Sequence, residues 1–295
     1  MLFEEKISER FPIVRAALDE LISTALNYQT HPQDVLLVIN HSFYNEETPE
    51  SFRKEHNLSR FAFGPADIGK SEETHNEFIA WYFNNHQVNY DEFLKQLKDS
   101  QELNDLENLS INIEKSIYLK FWEADMILKY FYQLSLLAQG KKYDWYLKIP
   151  TYSREGSKQD FIRTEIRDKL ENICPKFYSL IKETYSPQLR NAIAHSQYSI
   201  WNRIVKYLNF SENPKAYCSI RTLKFEEWAN YFHNTVLIYY ALKDGFDTVK
   251  EMYYQKTIDN GFLETRITTK ENKELFSKIY LRNGYRSWTT HDNEK

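Results

Sequence analysis

Residues 117–138 read IYLKFWEADMILKYFYQLSLLA, with apolar side chains on nearly every helical face. A helix that is hydrophobic all round usually forms the centre of a bundle. Taken as the middle of one helix over 112–139, the stretch predicts an all-α protein, an up-and-down helical bundle. Working outward, residues 7–28 carry apolar residues at three- and four-residue spacing and predict an amphipathic helix. Asp34–Asn40 (DVLLVIN) reads equally as a strand or a buried helical segment. Further helices are expected from about Glu72 to Phe83 and over Tyr90–Leu106. Another covers Asp160–Tyr185, interrupted at Pro175. The longest runs from Leu223 to about Ile258 and is closed by Asn260-Gly261. Two short alternating runs, Leu263–Thr269 and Leu275–Tyr280, could form a hairpin. The organisation expected is an acidic, mostly helical accessory region over 1–110, a bundle over 111–260 and a polar tail over 261–295.

Composition points the same way. Gly and Pro together number 15 of 295 residues while Phe, Tyr and Trp number 47, which disfavours folds built on glycine turns and favours aromatic-rich helical packing. With 38 basic and 42 acidic residues, the chain lacks the basic excess of a general nucleic-acid coat. Cys174 and Cys218 are too few for a disulfide framework or a four-cysteine zinc site. The first residues run into acidic and polar side chains, so no secretory signal is expected. No run approaches the roughly 20 apolar residues of a membrane span. A reducing cytoplasm is the expected setting, with no membrane contact.

Between two of the expected helices lies SPQLRNAIAHSQY, residues 186–198. Ser followed by Pro is a strong helix start. At about 100° per residue, Leu189, Ala192, Ile193 and Ser196 share an apolar or small face, and Arg190, Asn191, His195 and Tyr198 share the other. Arg190 and His195 stand roughly 140° apart, flanking a shallow groove at Ala194. The pairing suits RNA cleavage without a metal. Attack by the 2′-hydroxyl needs proton transfer near neutral pH, which imidazole provides, and a fixed cation for the charge growing on the phosphate oxygens, which guanidinium provides. One imidazole serves as acid or base, so two copies across a two-fold axis would supply both.

Arg190-Asn191, three residues, then His195 resembles the Arg-x4–6-His signature of HEPN domains, with Asn after the arginine. The resemblance covers residues 111–260. It implies a helical bundle and a metal-independent ribonuclease acting as a homodimer in toxin–antitoxin or anti-phage defence, with no cofactor. Such enzymes leave a 2′,3′-cyclic phosphate and a 5′-hydroxyl. By the resemblance, Arg190 and His195 would be the catalytic pair and Asn191 the orienting residue. HEPN sites often draw a further polar residue from the preceding helix. Glu123 fits that role and, lying on an apolar face, needs a partner such as Arg190 or Lys120. Asp125 is assigned to an i,i+4 pair with Lys129. A catalytically silent module that binds nucleotide, RNA or a protein partner is the alternative.

Charge is uneven along the chain. Residues 43–110 hold 14 acidic against 6 basic residues, whereas 141–169 and 250–286 each hold 8 basic against 5 acidic. Lys141, Lys142, Lys148, Arg154, Lys158, Arg163 and Arg167 are candidate RNA contacts, with Tyr198 as a stacking group. The acidic segment could shield such a groove or receive a basic regulatory protein or antitoxin. Gly64–Ser71 matches the phosphate-loop expression G-x4-G-K-[ST], with Lys70 and Ser71 as its phosphate and magnesium contacts. The chain offers few strands to build the sheet such a loop needs, so a polar turn is favoured. His75, His86 and His233 match no metal-ligand spacing. The tyrosine pairs at 239–240 and 253–254 read as packing.

Overall fold

The computed structural model describes residues 2–45, 61–63, 77–98, 100–150, 157–213, 218–282 and 287–290. The chain divides into two units of three segments each: Met1–Leu18, Thr74–Ala124 and Pro175–Leu242 form the first, and Asp19–Glu73, Asp125–Cys174 and Lys243–Lys295 the second. The helices are α1 (Glu4–Tyr28), α2 (Asp34–Ile39), α3 (77–85), α4 (Tyr90–Leu97), α5 (Gln101–Glu123), α6 (Asp125–Ala138), α7 (Pro175–Thr184), α8 (Pro187–Ala194) and α9 (Phe225–Asn260). A short α, π and 3-10 succession covers Lys158–Leu170.

The apolar stretch over 117–138 is not one helix. Ala124 adopts extended backbone (φ −67°, ψ 113°) and separates α5 from α6. Each half buries its own face in its own unit: Tyr118, Phe121 and Trp122 in the first, Leu128, Phe131 and Leu134 in the second. Two half-helices serving different cores leave a sequence that looks apolar all round. The helix expected over Tyr90–Leu106 is likewise two. The first ends at Leu97, and Ser100 caps the second, its side chain accepting from Leu103 N–H at 3.2 Å. Residue 110 lies inside α5.

The all-α expectation is wrong: helices dominate, but four small sheets are present among the described residues, so the fold is mixed. The first unit holds β1 (Leu2–Phe3), which pairs in parallel with β4 (Gln87–Val88), and the antiparallel sheet β5 (Tyr198–Trp201), β6 (Ile204–Tyr207), β7 (Thr222–Lys224). The second holds β2 (Phe43–Tyr44) with β3 (Phe61–Ala62), and β8 (Leu263–Thr268), β9 (Glu274–Leu281) and β10 (Trp288–Thr289) in the order β10-β9-β8. The C-terminal alternating runs thus pair antiparallel, Leu263 opposite Ile279.

Scarce glycine misled because other residues make the turns. His41, Ser196, Asn202, Arg203 and Asn272 all have positive φ, against only Gly140 and Gly261 among the described glycines. Asn202 and Arg203, at 48° and 58°, form the two-residue connection between β5 and β6, which requires left-handed backbone at both positions.

The first unit's core is aromatic. Tyr118 packs edge-on against Trp228 at 5.5 Å, and Trp122 lies 5.0 Å from Tyr185. Both buried indoles are satisfied: Trp228 Nε1 donates to Glu114 at 2.8 Å and Trp122 Nε1 to Thr235 at 3.3 Å. His233 is a core residue whose Nε2 accepts from Phe3 N–H at 3.2 Å. In the second unit, Arg266 pairs with the buried Asp34 at 2.9 Å, and Trp288 Nε1 donates to Thr257 at 2.9 Å. Gly261, at φ 77°, ends α9 in the left-handed conformation that suits it. No described helix is long and apolar enough to cross a membrane.

Candidate active site

Helix α8, which carries the Arg-His motif, starts as its sequence dictates. Ser186 is extended (φ −120°, ψ 116°), its side chain accepts from Leu189 N–H at 3.3 Å, and Pro187 follows at the first helical position. The Tyr118 hydroxyl accepts from Ser186 N–H at 3.0 Å and donates to the Thr184 carbonyl at 3.1 Å, so α5 fixes where the motif helix begins. Leu189, Ala192 and Ile193 are buried and anchor the helix.

The far end is a two-bond stop. Gln197 N–H reaches the Ala192 carbonyl at 2.8 Å, Ser196 N–H reaches that of Ile193 at 3.3 Å, and Ser196 takes φ 53°. His195 is therefore the C-cap, exposed, with no hydrogen bond to its ring among the described residues. The stop also corrects two expectations. Ser196 is exposed rather than on the buried face, and Tyr198 lies in β5, not on the helix.

Arg190 is half-buried and held from two sides. Its Nε donates to Glu123 Oε1 in a short ion pair, and Nη1 donates to Asn191 Oδ1 at 2.9 Å. Glu123 is the last residue of α5, where helix carbonyls repel a carboxylate, and the guanidinium offsets that repulsion. Arg190 Nη2 makes no bond among the described residues, leaving a directed cationic edge for an oxyanion. Asn191 thus orients Arg190, while His195 stands about 7.5 Å further along the helix axis.

No protein-family model, curated protein or solved structure matches this chain. What the site can do must be judged from its own geometry.

Lys141, Lys142, Lys148, Lys158, Arg163 and Arg167 belong to the second unit, whereas the motif belongs to the first. Four of them have acidic partners: Lys142 with Glu274 at 2.7 Å, Lys158 with Asp125 at 2.7 Å, Arg163 with Asp160 at 2.5 Å and Arg167 with Asp168 at 2.7 Å. Lys158 thereby replaces Lys129 as the partner expected for Asp125. Lys141 and Lys148 are exposed. Arg154, His75 and the phosphate-loop match Gly64–Ser71 lie outside the described residues. His86 stacks on Tyr82 at 4.6 Å. Among the described residues no cluster of three His, Cys, Asp or Glu could hold a metal, and both cysteines are free.

One residue beside the motif escaped the sequence reading. Lys115 of α5 is fully buried, its Nζ has no hydrogen-bond partner among the described residues, and it lies 3.6 Å from the centre of the Tyr198 ring. Burial pushes its pKa down to about 7. Tyr198 in turn donates to Asn112 Oδ1 at 3.2 Å, so two α5 residues hold the strand that follows His195. The signal was present: Ile111, Lys115, Tyr118 and Trp122 follow four-, three- and four-residue spacing on one helix face.

Proposed function

We propose that the chain is a metal-independent endoribonuclease of HEPN type, serving as a toxin or anti-phage effector. The observation that carries this is Arg190, held by Glu123 and Asn191 with Nη2 left open, on the same short helix as a solvent-facing imidazole. In the proposed reaction His195 removes the proton of an RNA 2′-hydroxyl, whose oxygen attacks the adjacent phosphorus. The bond to the 5′-oxygen breaks, and that oxygen takes a proton from an acid. Arg190 receives the charge on the non-bridging oxygens. The products are a 2′,3′-cyclic phosphate and a 5′-hydroxyl. A second copy of the chain would bring the acid as its own imidazole, which the exposure of His195 permits.

A catalytically silent RNA- or partner-binding module is favoured by a different aspect of the same pair: Glu123 neutralises Arg190 in the free protein. An RNA cleavage assay in EDTA separates the two. Activity that disappears in both Arg190→Ala and His195→Ala supports the nuclease. Retained RNA binding without cleavage supports the silent module.

A further inference from the structure

The second unit contains a pocket whose walls carry hydrogen-bond donors with nothing to bind. It is lined by Val38, His41 and Ser42 after α2, Lys129, Tyr130 and Gln133 of α6, and Tyr143, Asp144 and Trp145 of the following loop. It measures about 20 Å³, room for one water-sized atom, and is partly open. Ser42 and Trp145 are 5% and 2% exposed, yet Ser42 Oγ and Trp145 Nε1 have no hydrogen-bond partner among the described residues. Orphaned buried donors each cost about 1–3 kcal/mol, so two on one pocket wall mark a place where an acceptor belongs.

Three other polar residues of the lining are already engaged. Gln133 is used on both sides by the Asp144 backbone, donating to its carbonyl at 2.6 Å and accepting from its N–H at 3.0 Å. The Asp144 carboxylate accepts from Tyr146 N–H at 2.9 Å, and the Tyr143 hydroxyl donates to the Ser42 carbonyl. Burial first and then the Lys129 charge hold the pKa of His41 down at about 4. His41 also sits at φ 50°, a conformation that costs an ordinary residue about 1 kcal/mol or more. We infer that this pocket binds a small oxyanion, one oxygen of which enters between Ser42 Oγ and Trp145 Nε1 while Lys129 balances the charge. A phosphate monoester and a free inorganic anion share that chemistry. All the residues named belong to the second unit, so failure of this inference leaves the ribonuclease proposal standing.

Protonated His41 would add a second positive charge, so anion affinity should rise as pH falls. Lys129 is the charge that acts on His41, whose ring lies 5.6 Å from that of Tyr130 and 6.4 Å from that of Phe43; Tyr143 and Asp144 are the other titratable residues of the lining. The test is a titration of the ¹⁵N-labelled full chain with sulfate, whose charge is constant between pH 7 and 5, at ionic strength matched by chloride. The indole N–H signals report it, and Trp81, Trp122, Trp201, Trp228 and Trp288 serve as internal controls. The expected result is a saturable shift of the Trp145 signal alone, at least five-fold weaker in Lys129→Gln and stronger at pH 5 than at pH 7. In His41→Asn, which tolerates the left-handed backbone, the pH effect should vanish while binding at pH 7 persists. A second probe is inorganic phosphate against phosphoserine at pH 7. Tighter phosphoserine identifies a monoester, and equal affinity identifies the free anion. A Trp145 signal that does not move, or that drifts without saturation together with the other indoles, would overturn the inference and leave a water-filled pocket.

Discussion

Two arginines, one in each unit, are held by carboxylates in ways that differ instructively. In the second unit Arg266 is 8% exposed, bonds Thr30 and Asp34 through Nη2, and has Glu274 3.5 Å from Nη1. Asp34 beneath it is fully buried, with its pKa raised to about 6 by burial against the opposing pull of Arg266. In the first unit the Arg190 side chain is 21% exposed and makes no hydrogen bond through Nη2 among the described residues. The first arrangement is closed and structural. The second is fixed but incomplete, which is what the proposed role of Arg190 requires.

The largest expected effect falls on the closed pair. Arg266→Ala leaves a buried carboxylate alone and should cost about 3–5 kcal/mol in denaturant unfolding, with RNA cleavage intact in whatever fraction folds. The folded-state pKa of Asp34 lies above its unfolded value, so its contribution to stability is present below about pH 4 and lost as pH rises through about 6. Asp34→Asn should flatten that portion of the stability curve. Next comes the open pair. Arg190→Ala should lower cleavage about 100- to 1,000-fold while changing unfolding by about 1 kcal/mol or less, since Glu123 is at the rim. Equal damage to stability at both arginines would erase the distinction.

Lys115 extends the comparison to a buried cation without a carboxylate. Its folded-state pKa of about 7 lies below that of an ordinary lysine. The unfolded chain therefore binds more protons between those values, and stability should rise with pH from about 7 upward. Lys115→Met should remove that slope and stabilise the protein by about 2 kcal/mol at pH 6. The smallest effect is expected at Ser196→Gly, which frees a left-handed position and should add about 0.5–1 kcal/mol, with cleavage unchanged if His195 keeps its place at the helix end.

Local helix signals were legible where a residue's role is chemical and near in sequence. Ser186-Pro187 marked a helix start, Asn260-Gly261 marked a stop, and the Arg190–His195 spacing could be read directly. The break at Ala124 was not, because nothing at that residue forbids a helix; the break is imposed by two cores claiming the two halves of one apolar stretch. The β5–β6 hairpin was missed because its turn uses Asn202 and Arg203, with Arg203 held by two hydrogen bonds to Glu107 at 2.9 and 3.0 Å, and not the glycine that turn chemistry favours. The basic run from Lys141 was read as free charge; the pairs Arg163–Asp160 and Arg167–Asp168 were within local reach, whereas Lys142–Glu274 and Lys158–Asp125 form across the fold and are invisible to local counting. That Glu123 needs a partner such as Arg190 was legible from its place on an apolar face. Lys115 shows the same pattern and was passed over.

The most direct measurement is cleavage of total RNA by the full chain in EDTA, with product ends analysed, for the wild type, Arg190→Ala and His195→Ala. The account predicts cleavage by the wild type leaving 2′,3′-cyclic phosphates, with about 100-fold or greater loss in each variant. No cleavage by the wild type, or cleavage that His195→Ala leaves unchanged, would contradict it.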